Sequence, residues 1–386
     1  MPKHFPKILF ITHESTLSGA PILLLNLLKL LKDNHVHFSC VIKRGGPLDK
    51  DFAALAKTTV LKPESYQLNK NFLGKVVDYF FYKIRLYKVK AAARSCDVIF
   101  SNTITNGRLL LQLKSLRKPI LVYVHELETV IQFYKQDSDL TVQLADVFLS
   151  PSDAVSHNLA FTHSIANVLP LNYFFSRIAD NFSLAKEEMK AIFLKKYKIP
   201  ADRFYVVGMG AANLRKGIDL FVECCKIVSE QVNDVHFIWI GDFMEQNVKE
   251  QIEKEIIKND LKDNLTITGF ICPDPLNLLP FDLLALTSRE DPYPLVVLEA
   301  ALLQIPTIAF KGTGGMENFL SNNCGFIVDL SVNEMADKII QLKSNRYELK
   351  QNGINAYNKV IEQNTNQDLI LAQLQAAFQA VWNKST

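Results

Sequence analysis

The stretch T-S-R-E-D-P-Y-P-L-V-V-L-E-A-A-L-L-Q-I-P-T-I-A-F, Thr287 to Phe310, reads as a loop, a helix and a strand in succession. Pro292 and Pro294 keep its first part out of a helix and put the helix start near Leu295, since proline is tolerated only before or within a first turn. Leu283 to Thr287 before it and Pro306 to Phe310 after it are short apolar runs, so the whole reads strand, helix, strand: one crossover of a parallel sheet. Asp291 lies in the loop and Glu299 in the helix, eight positions apart, which is about two turns and the same face. At Leu295 and Val296 the helix start offers unpaired N–H groups and partial positive charge, which suits phosphate oxygens. Glu299 then suits a pair of sugar hydroxyls.

The same alternation runs outward in both directions. Tyr205 to Gly210 is a strand entering A-A-N-L-R-K-G-I-D-L-F; Val235 to Ile240 is the next, then a charged helix from Gln246 to Lys258 and a short strand in Leu265 to Phe270. K-G-T-G-G-M-E follows Phe310 as a glycine-rich turn in which Gly314 and Gly315 are expected at positive φ, with Glu317 opening a helix. In the first half, Lys7 to Thr12, His35 to Ile42, Thr58 to Leu61, Asp97 to Phe100, Ile120 to Val124 and Val147 to Leu149 read as strands, and Pro21 to Leu31, Asp49 to Lys57 and Asn69 to Arg94 as helices. Strand and helix alternate once before about residue 175 and again after about 200. The expected fold is α/β: two doubly wound, Rossmann-like domains facing a cleft, at 1–175 and 200–365. Ser176 to Ile199 is read as a connector, and 366–386 as a last helix packing across both domains.

A chain of 386 residues exceeds one ordinary core, and 48% apolar with 22% charged residues is a globular composition. Through Pro170 the net charge is +8, and beyond it −5. A basic first half suits an anionic surface or a phosphorylated acceptor, or is a chance bias. Asn69 to Arg94 mixes Lys, Arg and aromatic residues; such a helix either lies on an anionic bilayer or packs inward with its lysines solvated. The six cysteines lack metal or disulfide spacing and read as reduced core residues. No signal peptide or spanning segment is read, so the expected location is the cytoplasm, at most peripheral to a membrane. G-x-G-x-x-G is absent, which argues against a classical dehydrogenase. Asp137-Ser138-Asp139 has the D-x-D spelling but lies far from a strand end; it is read as a solvated pair, and no divalent metal, other cofactor or nucleic acid is expected.

D-P-Y-P-L-V-V-L-E-A resembles the Glu-(seven residues)-Glu signature of retaining, nucleotide-sugar-dependent glycosyltransferases of the GT-B fold, family four, in a branch with Asp in place of the first Glu. The likeness covers most of the C-terminal half and, more loosely, S-N-T and Y-V-H-E in the first half. The resemblance implies roles residue by residue. Asp291 would hold donor-sugar hydroxyls, Glu299 the ribose, Lys216 the diphosphate, and the backbone at Gly269 and Phe270 the base. Many members carry an Arg where this chain has Gly210, and Arg215 is the candidate substitute. His125, closing a strand, would lie beside the donor sugar, bonding a hydroxyl or relaying a proton. Gly19, Asn102, Thr103 and Glu126 are candidates for the loops near diphosphate and acceptor. The expected activity is transfer of a sugar from a nucleotide-diphosphate sugar to a hydroxyl of a glycan or lipid-linked acceptor. The same fold also hosts sugar-nucleotide epimerases, phosphorylases and non-catalytic partner subunits.

Overall fold

The structure is a computed structural model that describes residues 5–63, 72–176 and 183–385. Asn69 to Asn71 of the expected aromatic helix and 177–182 of the expected connector lie outside the described residues. The chain divides into two compact units, 1–176 with 364–386, and 177–363.

In the first unit the strands are β1 Ile8–Glu14, β2 Phe38–Arg44, β3 Thr58–Lys62, β4 Val98–Ser101, β5 Ile120–Tyr123, β6 Val147–Ser150 and β7 Val168–Pro170. They form one sheet in the order β3-β2-β1-β4-β5-β6-β7, every pairing parallel. The second unit holds β8 Phe204–Met209, β9 Val235–Ile240, β10 Leu265–Ile267, β11 Leu283–Leu286, β12 Thr307–Phe310 and β13 Phe326–Val328. Their order is β10-β9-β8-β11-β12-β13, again all parallel. A parallel sheet covered by helices on both faces buries both sides of its strands, which is why β4, β5, β6, β9, β11 and β12 are apolar runs rather than alternating ones.

Each sheet is doubly wound. The chain leaves β1 toward β3 and returns to lay β4 on the other side of β1; β8 and β11 repeat the arrangement. At these reversals neighbouring loops turn to opposite faces, and a crevice opens at the carboxyl ends of the two central strands. The first core gathers Leu9, Ile11, Ile99, Val122 and Phe148, and the second Phe221, Phe237, Trp239 and Ile308. The last helix, Gln367–Ser385, packs on β5 and β6. Asn364 ties it down, donating from Nδ2 to Tyr173 O and accepting at its own carbonyl from Phe175 N–H, both at 2.8 Å.

Three sequence readings are corrected. Asp137 is not solvated: it is buried at 3% exposure and its carboxylate takes the Arg108 backbone N–H at 2.7 Å and the guanidinium at 2.9 and 2.5 Å. A helix period places a residue on a face, but whether that face is covered is decided by Gly107, where an added Cβ would lie 2.0 Å from Asp137 O. In the glycine turn the positive φ angles fall on Gly312 (76°) and Gly314 (153°), not Gly315. Of the cysteines, Cys272 is exposed and the other five are buried.

Candidate active site

The second unit assembles its candidates at the β8/β11 reversal. Gly210 ends β8 at φ 142°, and its carbonyl accepts from Trp239 Nε1 at 3.1 Å. Asn213 then shapes the loop, its Oδ1 taking the Lys216 N–H at 2.9 Å and its carbonyl the Gly217 N–H at 3.1 Å. Gly217 has φ 73° and precedes the helix Ile218–Ser229; a Cβ there would lie 1.9 Å from Thr287 O, so only glycine lets the two loops meet. Thr287 Oγ1 donates to Gly217 O at 2.9 Å, Arg289 N–H to Arg215 O at 2.8 Å, and Arg215 to Glu290 O at 2.8 Å. Arg289 adds a bidentate pair with Asp219 at 2.7 and 2.6 Å.

This lacing brings Lys216 Nζ onto the carboxylate of Asp291, itself buried at 6% exposure. Asp291 is strapped from the other side: its N–H donates to Thr313 O at 2.9 Å, and its carbonyl accepts from Gly315 N–H at 3.1 Å. A Cβ on Gly314 would lie 1.7 Å from that carbonyl. Past Pro294 the helix Leu295–Leu302 begins; the amides of Leu295 and Val296 have no protein acceptor among the described residues. Glu299, four residues on, is half-buried, and its carboxylate makes no hydrogen bond or ion pair among the described residues. Burial, with Asp274 nearby adding repulsion, pushes its carboxyl up to about 7. Such an acid has its acceptor oxygens uncommitted.

Gly269 (φ 73°) accepts at its carbonyl from Gly241 N–H at 3.0 Å, and Phe270 N–H is taken by Asp242 Oδ1 at 3.0 Å. The Phe270 amide is therefore engaged, while its ring is exposed. At Gly210 an added Cβ would touch only the Lys216 stem, at 3.6 Å. Arg215 points instead to Glu290 O, so it braces the loop.

In the first unit the β1/β4 reversal collects a second group. Asn102 Nδ2 donates to Ala20 O at 2.9 Å in the first turn of the helix Gly19–Asp33, so its Oδ1 faces His125 Nε2 at 3.0 Å as an acceptor. Nε2 must then carry the proton, and Nδ1 accepts from the Tyr173 hydroxyl at 3.0 Å. Burial, helped by His13, lowers the His125 imidazole to about 3. A ring that is neutral and engaged at both nitrogens anchors its neighbours; it is not poised to relay a proton at neutral pH. Thr103 and Glu126 are buried at 0% and 8% exposure and meet one another. Glu126 also takes the N–H groups of His125 at 2.9 Å and Ile104 at 3.4 Å. These two residues hold the loops and do not face solvent. Gly19 opens its helix behind Ser18, which makes no side-chain cap.

Sequence reasoning missed His13 and Glu14 at the end of β1. Glu14 accepts from Thr16 Oγ1 at 2.7 Å and pairs with His13 Nε2 at 3.4 Å, which with its other hydrogen bonds lowers its carboxyl to about 2. His13 Nδ1 is buried with no partner among the described residues. H-E directly after I-L-F-I-T was the available signal. Arg289 and Asp219 were missed because nothing local marks two residues that meet only through the sheet.

Residues 189–360 match the family model described as Glycosyl transferases group 1. Over 157 residues, 40% of this chain, the sequence is 30% identical to the poly(ribitol-phosphate) alpha-N-acetylglucosaminyltransferase of Staphylococcus aureus, of which the match covers 31%. It is also 30% identical over 153 residues to the alpha-galactosylglucosyldiacylglycerol synthase of Streptococcus pneumoniae, covering 39% of each. The matches thus span between about a third and two fifths of these relatives' length. In fold, the chain is similar to Anabaena HepE, solved in complex with UDP-glucose, with a TM-score of 0.77, 18% identity, and 96% of this chain and 99% of that one covered. The fold is that of the GT-B glycosyltransferases.

Proposed function

We propose that this protein is a glycosyltransferase that moves a sugar from a nucleotide-diphosphate sugar to a hydroxyl of a glycan or glycolipid acceptor, with retention of anomeric configuration. The observation that carries the reading is the composition of the β8/β11 site: one lysine in the laced loops and, on the helix that follows them, two unoccupied amides and one uncommitted acid with a raised pKa. Its anion binders match a diphosphate, and its acid matches a ribose. The matched family and the acceptors named for the two relatives support the choice of substrate class.

In the proposed reaction, Lys216 and the amides of Leu295 and Val296 hold the diphosphate, Glu299 the ribose, and Asp291 the sugar hydroxyls. The bond from the anomeric carbon to the phosphate oxygen breaks, its electron pair staying with the phosphate, where Lys216 and the helix start meet the growing charge. The acceptor oxygen bonds to the same face of that carbon and its proton passes to the departing phosphate. The protein's contribution is positioning and charge stabilisation.

A thermal-shift screen of the full chain against UDP, GDP and ADP sugars, followed by product analysis with glycan and glycolipid acceptors, tests this. One nucleotide sugar should raise the melting temperature and yield a retained glycoside. Absence of binding by all three overturns the reading, and epimerised donor formed without acceptor replaces it with an epimerase.

A further inference from the structure

The helix Phe72–Ser95 is apolar on two opposite sides. Leu86, Val89 and Ala93, with Tyr82, form one stripe at one-turn spacing and join the first unit's core. Val76, Phe80, Ile84 and Tyr87 form a second stripe directly opposite, and all four are exposed, Phe80 at 62% and Tyr87 at 68%. Val77, Tyr79 and Phe81 widen it, also exposed. A soluble helix ordinarily turns charged residues outward, so seven exposed large apolar side chains in three turns require a partner.

The charges around the stripe select that partner. Residues 74–90 contain Lys75, Lys83, Arg85, Lys88 and Lys90 against the single acid Asp78. Lys83 lies over the Tyr79 ring at 5.1 Å and Arg85 beside Phe81 at 5.8 Å, so cations border the aromatic rings. A second copy of this chain using the same face would bring lysine against lysine. An anionic bilayer accepts both components, rings at headgroup depth and cations toward lipid phosphates. No helix among the described residues is long and apolar enough to cross a membrane. We propose that the outer face of this helix is a docking surface for an anionic lipid bilayer, on which the helix lies in the plane of the interface.

Flotation of the full chain with vesicles of phosphatidylcholine alone, or containing about a third phosphatidylglycerol, tests the proposal. The protein should float with the anionic vesicles and far less with the neutral ones. Phe80→Ser with Ile84→Ser should lower partitioning about tenfold or more, the change expected from losing two buried apolar side chains. Lys83→Glu with Lys88→Glu should lower binding to anionic vesicles alone. Unchanged melting temperature and nucleotide binding in both variants show that the fold is kept, because all four side chains are exposed. Equal recovery with both vesicle types, or none with either, overturns the proposal. So does self-association in sedimentation velocity that the same substitutions abolish, which would assign the face to a second copy.

Discussion

Lys216 and Asp291, 75 residues apart, form an ion pair at the centre of the second sheet's loop cluster, with side-chain exposures of 20% and 8%. Neither loop could hold the pair alone. On the proposed function, an arriving diphosphate would compete with Asp291 for the ammonium, and binding of the anion would free a carboxylate for sugar hydroxyls.

Lys216→Met should therefore lower kcat/KM by about a hundredfold or more, the scale of losing one donor aimed at developing charge. It also leaves Asp291 buried without its cation, costing about 3 kcal/mol of stability. Asp291→Asn should keep more stability than Lys216→Met while losing transfer. Steady-state kinetics and urea unfolding of the two variants measure both; wild-type kcat/KM in Lys216→Met would remove the lysine from the site.

Glu299 gives a pH signature. Its folded pKa, about 7, is above its ordinary value of 4.5, so the folded state holds the proton more tightly. Its contribution to stability is full below about pH 4.5 and is lost as pH rises through 7, about 2 kcal/mol after allowance for partial exposure. Glu299→Gln should flatten that slope and raise the melting temperature at pH 8. Nucleotide affinity should move the other way, rising with ionisation near pH 7 in the wild type and about tenfold weaker and pH-insensitive in the variant. Titration calorimetry at pH 6 and 8 reads the affinity change.

Three glycines separate backbone strain from close approach. Gly217→Ala and Gly314→Ala meet backbone oxygens at 1.9 and 1.7 Å and sit at positive φ, so each should cost at least about 2 kcal/mol and weaken nucleotide binding. Gly312→Ala, at φ 76° with nothing within 4 Å, should cost about 1 kcal/mol and spare binding. Equal losses in all three would show that the loops do not need to touch.

His125 is expected to stay neutral through the whole working range. The pH profile of kcat/KM should show no inflection near 6.5 that disappears in His125→Gln, although the variant should lose activity about tenfold by loosening Asn102 and Tyr173. An inflection removed by that substitution would restore a proton-relay role.

Much of this architecture is written locally. Runs such as Ile8 to Ile11 and Leu283 to Leu286 are apolar on both faces, which suffices for buried parallel strands; Pro294 before Leu295 sets a helix start, and the repeated alternation sets two sheets. Asp291, the lysine of K-G and the histidine closing β5 are visible because each stands near a strand end or helix start, and Glu299 because its spacing from Asp291 is about two helical turns. What tertiary structure alone decided is which groups are spent. Thr103 and Glu126 look available as sequence but are buried against each other, Arg215 braces Glu290, and both nitrogens of His125 are occupied. The physical reason is that periodicity specifies a residue's face within its own element. Strand order, set by the packing of whole helices on a sheet, determines which distant loops meet, and so which charges keep a free side for a ligand.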